Sequence, residues 1–341
     1  ALCVMVSTFT GSSWTTMGTV GVALVGVGTA LQVPLGMTVG AIISGAYFGD
    51  KMSPLSDTTN LAPAMAGTTV FTHVKHMVVT AGPSIIISLI IYAIMGFTVV
   101  KGTASMETID LYMGTLKEFF TISPVMFIPP LCVLLMVIFK VPAIPGLIGV
   151  SALGGIFASM YTGVSMDTGV AEINRLVNRG GLSSMLDTVA LILIALAFAG
   201  VVETTGAVHA IIEKILSKAK SDKAMMTTAI FATLFTNFAT AAQYVAIVLP
   251  GRMFREAFRE RGLHPKNLSR ILEDVGTICA PFCPWSTDGV YILATLGCAT
   301  AAYAPYMFFS MLCPIVSLIC IWTGWTITRI TPEQAKEDII P

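Results

Sequence analysis

The chain has 341 residues, of which 55% are hydrophobic and only 11% are charged, and its formal net charge is zero. Its mean hydropathy of +0.83 excludes an ordinary water-soluble domain, and nothing in the charge balance indicates a nucleic-acid partner. Several apolar runs reach the ~20 residues that a helix needs to cross a membrane. We therefore predict an all-α, polytopic membrane protein.

The seven cysteines are an odd number, and none of their spacings is typical of a zinc site or a redox pair. We interpret all seven as small apolar residues of membrane helices. No nucleotide-binding motif is found, so primary pumping is not expected. The prediction is a protein that is not an enzyme and has no resident cofactor.

The predicted elements follow one another in two similar series. Residues 1–31 are predicted to form a helical hairpin, 33–69 a broken helix and 71–100 a membrane span, and 101–121 an extracytoplasmic connection. Three spans, a second hairpin, a second broken helix and a last span are predicted next, at 122–139, 143–163, 182–203, 224–250, 268–298 and 303–328. Residues 329–341 form a polar tail.

A polar stretch, Gly49–Asn60, interrupts an otherwise apolar run. Its proline and its serines and threonines predict that the helix unwinds there. Unwound backbone at membrane depth persists only inside protein or beside a water-filled cavity, and carboxylates at that depth are functional candidates by default. Carboxylate, hydroxyl, amide and carbonyl oxygens are the ligands that small hard cations prefer. The alternative is a short polar connection between two spans.

Three aspartates are the candidates for binding a cation or a proton: Asp57 first, then Asp50, and Asp288 in the second broken helix. Removal from water favours the protonated form of a carboxyl group and a bound cation favours the ionised form, so one carboxylate can serve both ions in turn. Asp57 could instead cap a helix that starts at Thr58, and Asp50 could pair with Lys51.

Neutral oxygens for the same Na+ are expected from the breaks and from the hairpin tips. They belong to Ser53, Ser56, Thr58, Thr59, Asn60, Ser286 and Thr287 in the breaks, and to Thr10, Ser12, Ser13, Thr236, Asn237 and Thr240 at the tips. Any single hydroxyl among them could instead bond to its own helix backbone.

The distribution of basic residues predicts the topology. The segment 224–250 lies between two basic segments and is too short for two crossings, which makes it a re-entrant hairpin. The resulting map has fourteen basic residues on the cytoplasmic side, including the C-terminal tail, and four outside. On this map the two series have opposite orientations, as in inverted-repeat secondary transporters, whose sites lie between broken helices near the membrane midplane. We expect about three further spans before Ala1.

Four segments resemble the Na+/H+ antiporter NhaC family: Thr10–Leu24, Gly49–Pro63, Ile247–Phe254 and Pro265–Arg270. The resemblance covers nearly the whole chain in order. It implies a Na+/H+ exchanger of a bacterial inner membrane, from the group of ion transporters with paired hairpins. The family also contains malate/lactate exchangers coupled to Na+ and protons. One departure is Ala242, since the family pattern has an acidic residue before the Gln243-Tyr244 pair.

The expected partners are the lipid bilayer and the transported Na+ and H+. A Na+-coupled exchanger of small carboxylates is the first alternative, with Lys51, Asn60 and Asn237 as its polar groups. An intramembrane aspartyl protease is a weaker alternative based on Asp50, and a channel is another. A homodimer is retained as an alternative to a single working chain.

Overall fold

The computed structural model describes residues 1–99, 182–216 and 219–331, together with short pieces between 114 and 160 and residue 334. Within these residues every regular element is a helix, apart from one isolated bridge between Leu263 and Arg329. The predicted connection 101–121, the spans 122–139 and 143–163 and the end of the tail lie wholly or mostly outside the described residues. The prediction of an all-α protein is confirmed for the part described.

The chain begins with two helical arms joined by a tight turn. Helix α1 is Leu2–Thr10, and the second arm consists of α2 (Ser13–Thr16), a π-helical turn (Met17–Gly21) and α3 (Val22–Ala30). Gly11 ends α1 in the left-handed region at φ 66°, and Ser12 caps the next arm by accepting a hydrogen bond from the Thr15 backbone N–H.

A helix broken at its polar stretch follows. Helix α4 is Leu35–Met52 and α5 is Asp57–Ala66, and the four residues between them are not helical. Ser56 caps α5 by accepting from the Thr59 backbone N–H, so Asp57 is the first helical residue and not the cap. The break is shorter than the sequence predicts, because Asp50 and Lys51 still belong to the last turn of α4.

Long apolar helices flank these elements. Helix α6 is Val70–Val99, α7 is Leu182–Thr204 and α8 is Ala207–Leu216. In the described part of the chain, Val70–Thr98 is the one helix that is long and apolar enough by itself to cross a membrane. Two bent pairs of helices are long and apolar enough when each pair is counted as one span. They are Ile192–Thr204 with Ala207–Leu216, and Thr300–Tyr306 with Phe308–Thr323.

A second pair of helical arms comprises α9 (Asp222–Thr240) and α10 (Gln243–Glu260). The turn between them is Ala241, in the left-handed region at φ 59°, followed by the extended Ala242. This turn lies within the predicted tip, Thr236–Gln243, close to its C-terminal end. Thr236, Asn237 and Thr240 therefore belong to the last turns of α9.

A second broken helix follows the second pair of arms. Helix α11 (Pro265–Ile271) continues into a π-helical turn (Leu272–Thr277) and a 3-10 turn (Ala280–Phe282), and α12 (Thr287–Leu296) begins after the break. Ser286 caps α12 through the Gly289 backbone N–H, as Ser56 caps α5. Helices α13 (Thr300–Tyr303) and α14 (Phe308–Thr323) complete the described fold.

Close helix contacts hold the first series together. Gly49 of α4 lies against α1, and a Cβ atom there would be 2.6 Å from the Cβ atom of Ser7. Small residues permit this approach between helices that share no water-driven attraction in a membrane. In contrast, α6 exposes large apolar side chains, among them Ile86, Ile90 and Phe97, as a lipid-facing helix does.

Candidate functional site

A cavity of about 410 Å³ lies where the tips of the two helical pairs meet the two breaks. Its apolar wall is formed by Ile192 and Leu196 of α7. Its remaining lining is polar or aromatic and consists of Ser12, Ser13, Trp14, Thr15, Asp50, Asp57, Gln243, Tyr244 and Thr287. This lining contains two carboxylates and no basic side chain.

Asp50 is held against the first tip. Its Oδ2 atom accepts hydrogen bonds from the backbone N–H of Ser13 at 3.0 Å and from the Ser13 hydroxyl group at 2.6 Å. Its Oδ1 atom is buried and has no hydrogen-bond partner. Gln243, from the second tip, likewise has a buried amide oxygen without a partner. Two oxygens in the cavity lining therefore have no hydrogen-bond partner among the residues that the structure describes.

Asp57 lies at the start of α5, where the helix dipole favours negative charge. It is solvent-exposed, and its Oδ2 atom accepts a hydrogen bond from the hydroxyl group of Tyr244. Its Oδ1 atom accepts from the Thr58 backbone N–H at 2.8 Å. The side chain of Tyr244 thus links the second tip to the first broken helix.

Asp288 is placed differently. It is fully buried, is absent from the cavity lining, and accepts hydrogen bonds from Trp14 Nε1 at 3.0 Å, from the Tyr47 hydroxyl group and from Thr287 Oγ1 at 3.3 Å. Both oxygens of this carboxylate are engaged. Asp288 therefore joins the first tip and α4 to the second broken helix.

Most of the hydroxyl and amide groups predicted in the breaks bond to backbone. Ser56 and Ser286 are helix caps, Ser53 accepts from the Leu55 backbone N–H, and Thr59 donates to the carbonyl oxygens of Asp50 and Lys51. Asn60 is exposed and donates to the carbonyl oxygens of Pro54 and Ser56. Of the break residues other than the aspartates, the cavity lining includes Thr287.

The predicted tip residues divide into two groups. Ser12 and Ser13 line the cavity. Thr10 lies 3.5 Å from the Ser12 carbonyl oxygen, whereas Thr236 and Thr240 donate to carbonyl oxygens one turn earlier in their own helix. Asn237 donates to the Gly276 carbonyl oxygen at 2.8 Å. These last four residues are not in the lining.

A layer of buried charge lies beside the cavity. Lys51 forms an ion pair with Asp274, and Arg270 Nε lies 3.8 Å from the Asp274 Oδ2 atom. Thr80 adds a hydrogen bond to Asp274 at 2.9 Å. The alternative pairing of Asp50 with Lys51 is therefore wrong. Since both buried cations face Asp274, the cavity lacks a basic group that could hold an organic anion.

The sequence reasoning did not select Trp14, Tyr47, Gln243, Tyr244 or Glu273. Trp14 and Tyr244 each stand three residues after the left-handed residue of their turn, but only the turn at Gly11 has a signal in the sequence, so Trp14 alone could have been identified in this way. Glu273, which accepts from Thr58 Oγ1 at 3.0 Å, gave no comparable signal, because an acidic residue inside a helix is common.

Comparison with known proteins identifies relatives across nearly the whole chain. The model of the Na+/H+ antiporter family matches residues 45–325. The chain is 36% identical to the Na+/H+ antiporter NhaC of Alkalihalophilus pseudofirmus, over 95% of this chain and 72% of that protein.

Two other relatives are named for organic substrates. The arginine/ornithine antiporter ArcD of Halobacterium salinarum is 35% identical over 99% of this chain and 73% of its own length. The malate-2H+/Na+-lactate antiporter of Bacillus subtilis is 32% identical over 95% of this chain and 72% of its own length. No solved structure matches the chain. The family match and the extent of these identities confirm the resemblance found in the sequence: this chain belongs to the Na+/H+ antiporter family.

Proposed function

We propose that the protein is a secondary transporter that exchanges Na+ for H+ across the membrane, and that the cavity is where the cation binds. The observation that carries the proposal is the pair of carboxylates, Asp50 and Asp57, in a lining without basic side chains. The relatives named as Na+/H+ antiporters support the same cargo. They also favour a transporter over the protease and channel alternatives.

The lining suits a cation that competes with protons. The free oxygens of Asp50 and Gln243 and the hydroxyl groups of Ser12, Ser13, Thr15 and Thr287 form an all-oxygen ligand set for Na+. A carboxylate that binds Na+ is ionised, whereas one that holds a proton has lost most of its attraction for Na+. Binding of one ion therefore displaces the other, which is the requirement for exchange.

Alternating access is proposed to rest on an inverted repeat with two re-entrant hairpins, α1–α3 and α9–α10. Three correspondences support the repeat. Each turn has a left-handed residue followed by an extended one, at Gly11-Ser12 and Ala241-Ala242. Each break has a proline two residues before a capping serine. Each tip also contacts a break of the other half, through Trp14 with Asp288 and Tyr244 with Asp57.

The membrane orientation follows from charge. The basic residues of α10 and of the loop after it, with those between α8 and α9, favour a cytoplasmic location for this side of the protein and for the C-terminal tail. We propose a bacterial inner membrane as the location. Whether one chain or a homodimer forms the working unit does not enter the proposed mechanism.

Exchange of a small organic acid together with Na+ and H+ is the second candidate. The observation that favours it is the volume of about 410 Å³, which exceeds the need of a single Na+ and falls within the range of small-molecule pockets. The charge of the lining opposes it. Asn60 and Asn237, which were expected to bind such an acid, donate to backbone carbonyl oxygens outside the lining.

The test uses the purified protein in sealed vesicles with an interior pH dye. We expect NaCl, added against choline chloride at equal ionic strength, to drive proton movement. Asp50→Asn should reduce this movement at least about tenfold, the effect of weakening binding by ~1.4 kcal/mol. Glu256→Gln, on the exposed face of α10, is the matched control and should behave as wild type.

Two results would contradict the proposal. Proton movement that survives in Asp50→Asn and in Asp57→Asn would move the exchange site away from this cavity. Movement only when malate or lactate accompanies Na+ would replace simple Na+/H+ exchange with the organic-acid candidate.

A further inference from the structure

Glu273 is a buried carboxylate outside the cavity lining. It belongs to the π-helical turn Leu272–Thr277 and has no solvent exposure. One of its oxygens accepts from Thr58 Oγ1 at 3.0 Å, and the other, Oε2, has no hydrogen-bond partner. A buried carboxyl oxygen without a partner is costly, and either a proton or a small cation can satisfy it.

Two more buried oxygens without partners border the same turn, and Thr277 Oγ1 lies against the carboxyl group of Glu273. Asn237 donates its amide N–H to the Gly276 carbonyl oxygen at 2.8 Å, which leaves its own Oδ1 atom unpaired. Thr233, with Oγ1 unpaired, packs its methyl group 3.3 Å from where a Cβ atom of Gly276 would lie. Irregular π-helical turns of this kind often occur at functional positions.

Neither of the neighbouring basic side chains forms an ion pair with Glu273. Lys51 pairs with Asp274, and Arg270 approaches the same carboxylate. Carboxylate, hydroxyl and amide oxygens together form the ligand set of a small hard cation.

We propose that a second Na+ site lies at this turn, with Glu273, Thr58, Thr277 and Asn237 as its oxygen ligands. It is separate from the cavity, and it borders the first break, since the hydroxyl group of Ser56 lies 3.1 Å from that of Thr58. The inference rests on the proposed function in one respect: both sites take the transported cation. With two Na+ bound per protein, the conformation of the break between α4 and α5 would depend on both ions.

The experiment counts bound ions instead of measuring transport. Equilibrium dialysis of radioactive Na+ against the purified protein in detergent, with choline chloride holding ionic strength constant, gives the number of ions bound at saturation. We expect two for wild type and for Glu256→Gln, and one for Glu273→Gln. Thr277→Val keeps the side-chain shape and should weaken one of the two sites about tenfold.

The outcomes separate this inference from the proposed function. One Na+ in wild type with an unchanged count in Glu273→Gln overturns the second site and leaves the cavity site intact. No bound Na+ in wild type overturns both. If Glu273→Gln does not fold, Thr277→Val decides, and a binding curve identical to that of wild type overturns the inference.

Discussion

The two breaks in the helices have the same local construction and different carboxylate environments. In both, a proline precedes a serine that caps the following helix, and an aspartate lies in the first turn. Asp57 of the first break is exposed in the cavity and accepts one side-chain hydrogen bond, from Tyr244. Asp288 of the second is fully buried under Trp14, Tyr47 and Thr287.

This difference separates a carboxylate that is available to a ligand from one that holds the structure together. A buried carboxylate surrounded by donors has its charge already compensated, so a cation gains little from it. A partly hydrated carboxylate beside an oxygen-lined cavity can exchange water for a cation. We therefore propose ion binding at the first break and at Asp50 beside it, and a joining role for Asp288.

The largest expected effect is on stability, in Asp288→Asn. The substitution removes the charge that three donors share, and one donor then faces an amide N–H group. We expect a loss of about 3 kcal/mol in the free energy of unfolding. Thermal unfolding of the detergent-solubilised protein measures it, and Na+ affinity of the folded fraction should stay within about twofold of wild type.

The matched change in the other break should have the opposite pattern. Asp57→Asn should alter unfolding by no more than about 0.5 kcal/mol, because the side chain is exposed. Its Na+ affinity should fall about 10- to 100-fold, because the bound Na+ loses its contact with an ionised group. Equal loss of stability in Asp57→Asn and Asp288→Asn would remove the distinction between the two breaks.

The two turns offer a second comparison, with a smaller effect. A Cβ atom on Gly11 would lie 2.8 Å from the Leu55 backbone carbon, and φ is 66° there. Gly11→Ala should therefore cost about 2 kcal/mol, from left-handed strain and the contact with the first break. Ala241→Gly relieves the same strain in the second turn and should be neutral or slightly stabilising. Chemical denaturation of both variants checks the contrast.

The aromatic contacts between the halves should differ in what they affect. Tyr244→Phe removes the hydrogen bond that holds Asp57 at the cavity wall, and we expect about fivefold weaker Na+ binding, equivalent to ~1 kcal/mol. Trp14→Phe should lower stability by a similar amount with Na+ affinity unchanged, because Trp14 donates to Asp288. Isothermal titration and thermal unfolding on both variants would show whether the two contacts are interchangeable.

Asn60→Ala should have the smallest effect. The side chain is exposed and donates to two backbone carbonyl oxygens of the first break. We expect a loss of about 0.5 to 1 kcal/mol in stability and no change in Na+-driven proton movement. A transport defect larger than threefold in the folded variant would restore Asn60 to the candidate ligands.

Several features were predictable from the residues alone because their causes are local. Composition and hydropathy are enough to predict the helical membrane class. Proline and serine residues mark both breaks, since proline disfavours continuation of a helix and serine caps the next one. The turn at Gly11 was similarly accessible. The turn at Ala241 lies within the predicted polar tip, but its exact residue was not predictable, because alanine carries no signal for the left-handed conformation.

The sequence by itself determined the class of protein, the positions of the breaks and the family. Tertiary structure decided which carboxylates face the cavity, because their partners are far away along the chain. Lys51 pairs with Asp274 and Tyr47 with Asp288, across separations of 223 and 241 residues. Such pairings depend on how the helices pack and on which donors that packing brings within about 3 Å of a buried oxygen. Local pattern carries no information about them.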